Sequence, residues 1–74
     1  MGGDFFLSTK LAVYFFLKSE YMKDCDKWFT VRDVAKVIDR SVDRTRCHLS
    51  LLVFSGDIRT RLDGWKNVYK FKEG

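Results

Sequence analysis

Seventy-four residues make one domain, 1–74, with a thin stability margin, because a chain this short buries only about 60% of the surface it exposes when unfolded. Hydrophobic residues at 46% and aromatics at 16% exclude a disordered chain, and two cysteines exclude a disulfide framework. The net charge of +4 lies wholly in residues 40–74, which hold eight Lys/Arg against four acids, while residues 1–39 hold six against six.

Ser8 is placed to cap a first helix running to Glu20 or Tyr21. Its run Leu11-Ala12-Val13-Tyr14-Phe15-Phe16-Leu17 is apolar on every side of a helix, so it is expected to bury one face in its own core and another against a partner subunit. The run is too short to cross a membrane. Tyr21 to Lys27 reads as a loop, and Trp28-Phe29 as a very short strand. Thr30 caps a second helix, with Asp33 three residues on in a near capping-box arrangement. Val31, Val34, Ala35 and Ile38 follow at helical spacing, and Asp39-Arg40 breaks the stripe. Ser41 caps a third helix, 41–54, with Val42, Thr45, Leu49, Leu52 and Val53 pointing inward and Gly56 just past its end.

From Ile58 the period changes to two: Ile58, Thr60 and Leu62 alternate with Arg59 and Arg61. Asp63-Gly64 is a hairpin signal and sets the expected tip. On the return strand Trp65, Asn67, Tyr69 and Phe71 alternate with Lys66, Val68, Lys70 and Lys72. The expected order is helix, short strand, helix, helix, hairpin, an α+β chain.

That order, with those residues, resembles the winged helix-turn-helix transcription regulators, including the small ArsR-like and MarR-like proteins, over residues 8–72. Thr30-Val31-Arg32-Asp33-Val34-Ala35-Lys36-Val37-Ile38 looks like the first motif helix, with Ala35 as the small residue where two helices approach. Ser41-Val42-Asp43-Arg44-Thr45-Arg46-Cys47-His48-Leu49 looks like the start of the recognition helix, and the hairpin 58–71 looks like the wing. The resemblance implies a sequence-specific binder of double-stranded DNA that regulates transcription, with the third helix in the major groove and the wing on backbone or minor groove.

On that expectation the outward arc of the third helix is Asp43, Arg44, Cys47 and Ser50, with Arg46 at its edge. Arg44 and Arg46 are suited to guanine O6 and N7, and each bidentate contact is worth about 1–3 kcal/mol of discrimination. Arg40 and Ser41 sit at the helix start, where free N–H groups favour a phosphate. Asp43 either accepts from cytosine N4 or stabilises the helix N-terminus, and the second is favoured for an acid in a first turn. Thr30 is expected to offer its hydroxyl to the backbone, while Arg59, Arg61, Lys66 and Asn67 supply the wing contacts. A basic face that is merely solvated is the plain alternative. Trp28, Trp65, Tyr69 and Phe71 suit either stacking on single strands or packing at the wing base, and period-two spacing favours packing.

No catalytic constellation is evident, so no enzyme activity, cofactor or metal is expected. His48 has no sequence partner, and adjacent helical residues Cys47 and His48 diverge by about 100°. A sensor site from Cys25, Cys47 or His48 across a dimer is a minor alternative, as is oxidation of Cys47 on the DNA face. The opening Met1-Gly2-Gly3-Asp4 lacks the basic start of a secretory signal, so the expected location is the reducing cytoplasm. The expected state is a homodimer through the first helix and the apolar end of the third, Leu51 to Phe54. A winged-helix module for protein–protein assembly without direct DNA reading is the competing function.

Overall fold

Each of the three described helices starts on a side-chain oxygen that accepts one of the backbone N–H groups a first turn leaves without a partner. The computed structural model describes residues 8–73. Its elements are α1 (Thr9–Lys23), β1 (Phe29–Thr30), α2 (Val31–Ile38), α3 (Val42–Ser55), β2 (Ile58–Asp63) and β3 (Lys66–Phe71). Ser8 Oγ accepts from the Leu11 N–H at 3.2 Å, and Ser41 Oγ accepts from the Arg44 N–H at 3.2 Å. Thr30 completes a reciprocal box: its hydroxyl accepts from the Asp33 N–H at 3.1 Å, and the Asp33 carboxylate accepts from the Thr30 N–H at 3.1 Å.

The helix ends are as local as the starts, with one exception. Asp39 closes α2 in the left-handed region at φ 59°, and the Arg40 N–H reaches back to the Ala35 carbonyl at 3.1 Å. Gly56 closes α3 at φ 87°, with the Asp57 N–H on the Leu52 carbonyl at 2.9 Å. The exception is α1, which runs to Lys23, past the Glu20 or Tyr21 expected from sequence. Its last turn is held from the far end of the chain: the Tyr21 ring lies 5.5 Å from that of Phe71, and its hydroxyl donates to Glu73 Oε1 at 3.1 Å. This bond, more than partial desolvation, holds the phenol's pKa above its ordinary value. The loop therefore spans 24–28 and not 21–27, and the short strand begins at Phe29 and not Trp28.

β3 is the middle strand of an antiparallel sheet in the order β1-β3-β2. The register sets Phe29 and Thr60 opposite Tyr69, and Ile58 opposite Phe71, on the face turned to the helices. Val13 and Leu17 of α1, Val34 of α2, and Leu49 and Leu52 of α3 close on Phe29, Ile58 and Tyr69 as one core. Burying each such side chain contributes about 1.5–3 kcal/mol. The other sheet face carries Arg59 and Lys70, Arg61 and Val68, and next to the turn Asp63 and Lys66; of these Val68 is buried, against the outward place the alternation implied for it.

Two expectations about the hairpin fail. The two-residue turn is Gly64-Trp65, one residue later than the expected Asp63-Gly64 tip, because Asp63 still pairs with Lys66 in the ladder. Gly64 has φ 73° and Trp65 does not have positive φ, the arrangement that puts glycine first in a type II′ turn. Trp65 consequently leaves the strand, is 90% exposed, and packs at no wing base. The inward alternation also stops early: Ile58 is buried, but Leu62 is exposed, since the hairpin projects beyond the helices that cover its base.

The apolar surround of α1 is largely used by its own domain. Phe16 meets Phe29 edge-on at 5.1 Å, and Tyr14 meets Phe71 at 5.6 Å. What stays outside is a stripe of Leu11, Phe15 and Met22, with Lys18 between them. Among the described residues no helix is long and apolar enough to cross a membrane.

Candidate functional site

Thr45, Leu49 and Leu52 fix the buried side of α3, and at about 100° per residue this sends Asp43, Cys47 and Ser50 outward with Phe54. Arg46 flanks that arc on the side of the sheet, and Arg44 flanks it on the other. Both arginines are exposed. Ser41 spends its hydroxyl on the α3 cap and stays exposed at the helix start. The Asp43 carboxylate accepts from the Arg46 guanidinium at 3.1 Å in a pair open to solvent, where it also suits the positive end of the helix. Arg44 has no side-chain partner among the described residues.

A groove of about 460 Å³ opens between the start of α2, the first half of α3 and the tip of the hairpin. Thr30, Val31 and Arg32 line it from α2, Val42 and Arg46 from α3, and Trp65, Lys66, Asn67 and Tyr69 from the hairpin end. Three cations, Arg32, Arg46 and Lys66, thus border one concave surface; among the described residues no carboxylate lines it, although Asp43 pairs with Arg46 beside it and Asp63 stands opposite Lys66 in the ladder. Ser50 and Asn67 line a second hollow between α3 and the sheet, together with Val53, Phe54, Thr60 and Tyr69. The structure brings Thr30, Arg46, Lys66 and Asn67 together as one surface, with Ser41, Asp43, Arg44, Cys47 and Ser50 beside it on α3.

Arg32 is the residue that sequence reading passed over. It stands second in α2, just inside the Thr30 cap, and its place at an exposed helix start was the available signal.

Three expected contact residues are otherwise engaged or face elsewhere. Arg40 is half-buried, and its guanidinium donates to the Ile38 and Asp39 carbonyls at 3.2 and 3.1 Å, tying the α2–α3 turn. Arg61 lies over the Trp28 ring at 4.4 Å, with Lys70 Nζ also over that ring at 4.9 Å. Lys70 is further held by the Cys25 carbonyl at 2.8 Å. Such a stack is worth about 0.5–1 kcal/mol at an exposed site, so Arg61 is engaged on Trp28 at the outer face of the sheet. Arg59 is opposite Lys70 on that same outer face, away from the groove.

Compared with known protein families, curated proteins and solved structures, the chain finds no match.

Cys25 and Cys47 are both free and exposed, one in the loop before β1 and one on α3. His48 is half-buried one step round the helix from Cys47. Among the described residues no three His, Cys, Asp or Glu side chains gather as a metal site requires.

Proposed function

We propose that this chain is a winged helix-turn-helix domain that binds double-stranded DNA and regulates transcription. The helix order, with β3 central in the sheet and a projecting β2–β3 hairpin, supports the winged-helix reading. The observation that carries the DNA reading is the convergence of Arg32, Arg46 and Lys66 on one groove beside the exposed, polar first half of α3. A duplex carries closely spaced phosphates, and a concave cationic surface next to a groove-sized helix meets both its charge and its shape.

In this reading α3 enters the major groove, with Arg44 and Arg46 reaching its base edges and the phosphates that flank them, and Cys47 and Ser50 alongside. The start of α2 holds the backbone through Thr30 and Arg32. The hairpin tip holds it through Lys66 and Asn67, while Arg40, Arg59 and Arg61 serve the fold or the far face of the sheet. The protein acts in the cytoplasm as a homodimer joined through the Leu11–Phe15–Met22 stripe and the end of α3, so that two copies of α3 meet two half-sites.

The competing assembly reading draws on one observation: Phe54 is 92% exposed and Leu51 is 49% exposed at the far end of α3. Fluorescence anisotropy with a labelled random duplex at low salt separates the two. Binding at micromolar protein that weakens steeply as salt is added supports the DNA reading. No change in anisotropy at that concentration overturns it and leaves the assembly reading ahead.

A further inference from the structure

The two tryptophans of the chain have opposite surroundings. Trp28 is roofed by Arg61 and Lys70, whereas Trp65 is 90% exposed at the apex of the hairpin. Two-residue turns ordinarily take Gly, Asn, Asp or Ser, each for its backbone behaviour. A large indole there gives the turn nothing that a smaller polar residue would not, and no part of its own domain covers it. The arm that carries it is firm, with six ladder pairs from Ile58–Phe71 to Asp63–Lys66 directly below the turn. It shares its groove with three cations, Lys66 next in sequence, Arg46 of α3 and Arg32 of α2.

We infer that Trp65 is a wedge that enters the base stack of bound duplex DNA. The inference rests on the DNA reading and adds a specific contact to it. The charges beside the indole select the occupant: an apolar protein surface docking on Trp65 would strip water from Lys66, which has no carboxylate within salt-bridge distance among the described residues, without pairing it, whereas a nucleic acid supplies phosphates for Lys66 and for Arg32 on the same groove. A firm hairpin then drives the ring toward the bases, where an apolar side chain opens a step and bends the duplex. Steps that unstack easily, TA and CA/TG, are the preferred points of entry.

The full chain carrying Trp28→Phe has Trp65 as its sole indole, so its emission reports that ring alone. Titration with a duplex containing a central TA step should quench this emission as the indole stacks. Trp65→Ala should weaken binding about ten- to a hundredfold, with the salt dependence unchanged, because no charge is lost. Trp65→Phe, which keeps a ring, should recover most of the affinity, and circular dichroism of both variants checks that they fold. Salt-dependent duplex binding with unchanged Trp65 emission, and with unchanged affinity in Trp65→Ala, overturns the wedge and leaves the DNA reading standing. Equal quenching with tighter binding to the separated strands also overturns it, in favour of a single-strand platform. If the unaltered chain binds no duplex, the wedge and the DNA reading fall together.

Discussion

Arg46→Ala removes one of the cations held toward a bound duplex, the others being Arg32 and Lys66 in the groove and Arg44 on α3. If each neutralises one phosphate, the logarithm of the binding constant falls against that of salt with a slope of about −3.6, and about −2.7 in the variant. Between about 50 and 200 mM salt this is a loss of roughly 150-fold for the unaltered chain and roughly 40-fold for Arg46→Ala. The Asp43 carboxylate now pairs with Arg46 at 3.1 Å, and its side chain is 94% exposed. An ion pair so open to water is worth no more than about 1 kcal/mol, so an incoming phosphate displaces it readily. Asp43→Asn should therefore tighten binding by about two- to fivefold, while removing an acid that steadies the start of α3 by about 0.3–1 kcal/mol. Fluorescence anisotropy across a salt series measures both variants, with thermal unfolding as the stability control. An unchanged slope for Arg46→Ala, or weaker binding by Asp43→Asn, would refute the placement of Arg46 against phosphate.

Thr45 is fully buried and its hydroxyl has no hydrogen-bond partner among the described residues, so Thr45→Val should stabilise the fold by about 1 kcal/mol; a lower melting temperature would contradict this. Gly56→Ala should cost about 1–2 kcal/mol, all of it torsional, because a methyl group there meets nothing within 4 Å and only the φ of 87° opposes it. Denaturant unfolding checks that value, and a cost near zero means α3 can end another way. The neutral Tyr21 phenol is the form bonded to Glu73, so its contribution to stability is complete below about pH 10 and is lost as pH rises through its raised pKa. Absorbance titration should find a late tyrosine ionisation that is lost in Tyr21→Phe and moves to lower pH in Glu73→Ala; a titration curve unchanged by Glu73→Ala would count against the contact.

The parts of the fold readable in advance were those set within a few residues. Ser8, Thr30 and Ser41 announced their helices because a cap is made with an N–H three residues away, and Gly56 announced the end of α3 because its backbone conformation is costly for other residues. The end of α1 was less legible, since Tyr21, which the polar run placed in a loop, is held in the last turn by Phe71 and Glu73 some fifty residues on, besides the local Lys23–Glu20 pair. The turn slipped by one residue because Asp-Gly is also compatible with a ladder that closes at Asp63 and leaves glycine to start the turn. That slip hid the exposure of Trp65. The engagement of Arg61 with Trp28 depends on strand order, which brings β1 and β2 to either side of β3, and residue spacing along one strand carries no trace of it. The site was half legible for the same reason: the arc of α3 follows from helical period, but Arg32 joins it only once α2, α3 and the hairpin tip are set around one groove.

The central claim, that α3 and the hairpin tip hold duplex DNA, is tested most directly by following the backbone amide signals of the labelled chain as a short duplex is added. The account predicts that the largest shifts fall on Thr30 to Arg32, Ser41 to Ser50 and Gly64 to Asn67, with Arg59 and Lys70 on the far face of the sheet little changed. Shifts gathered on that far face or along the Leu11–Phe15–Met22 stripe of α1, with α3 silent, would contradict it.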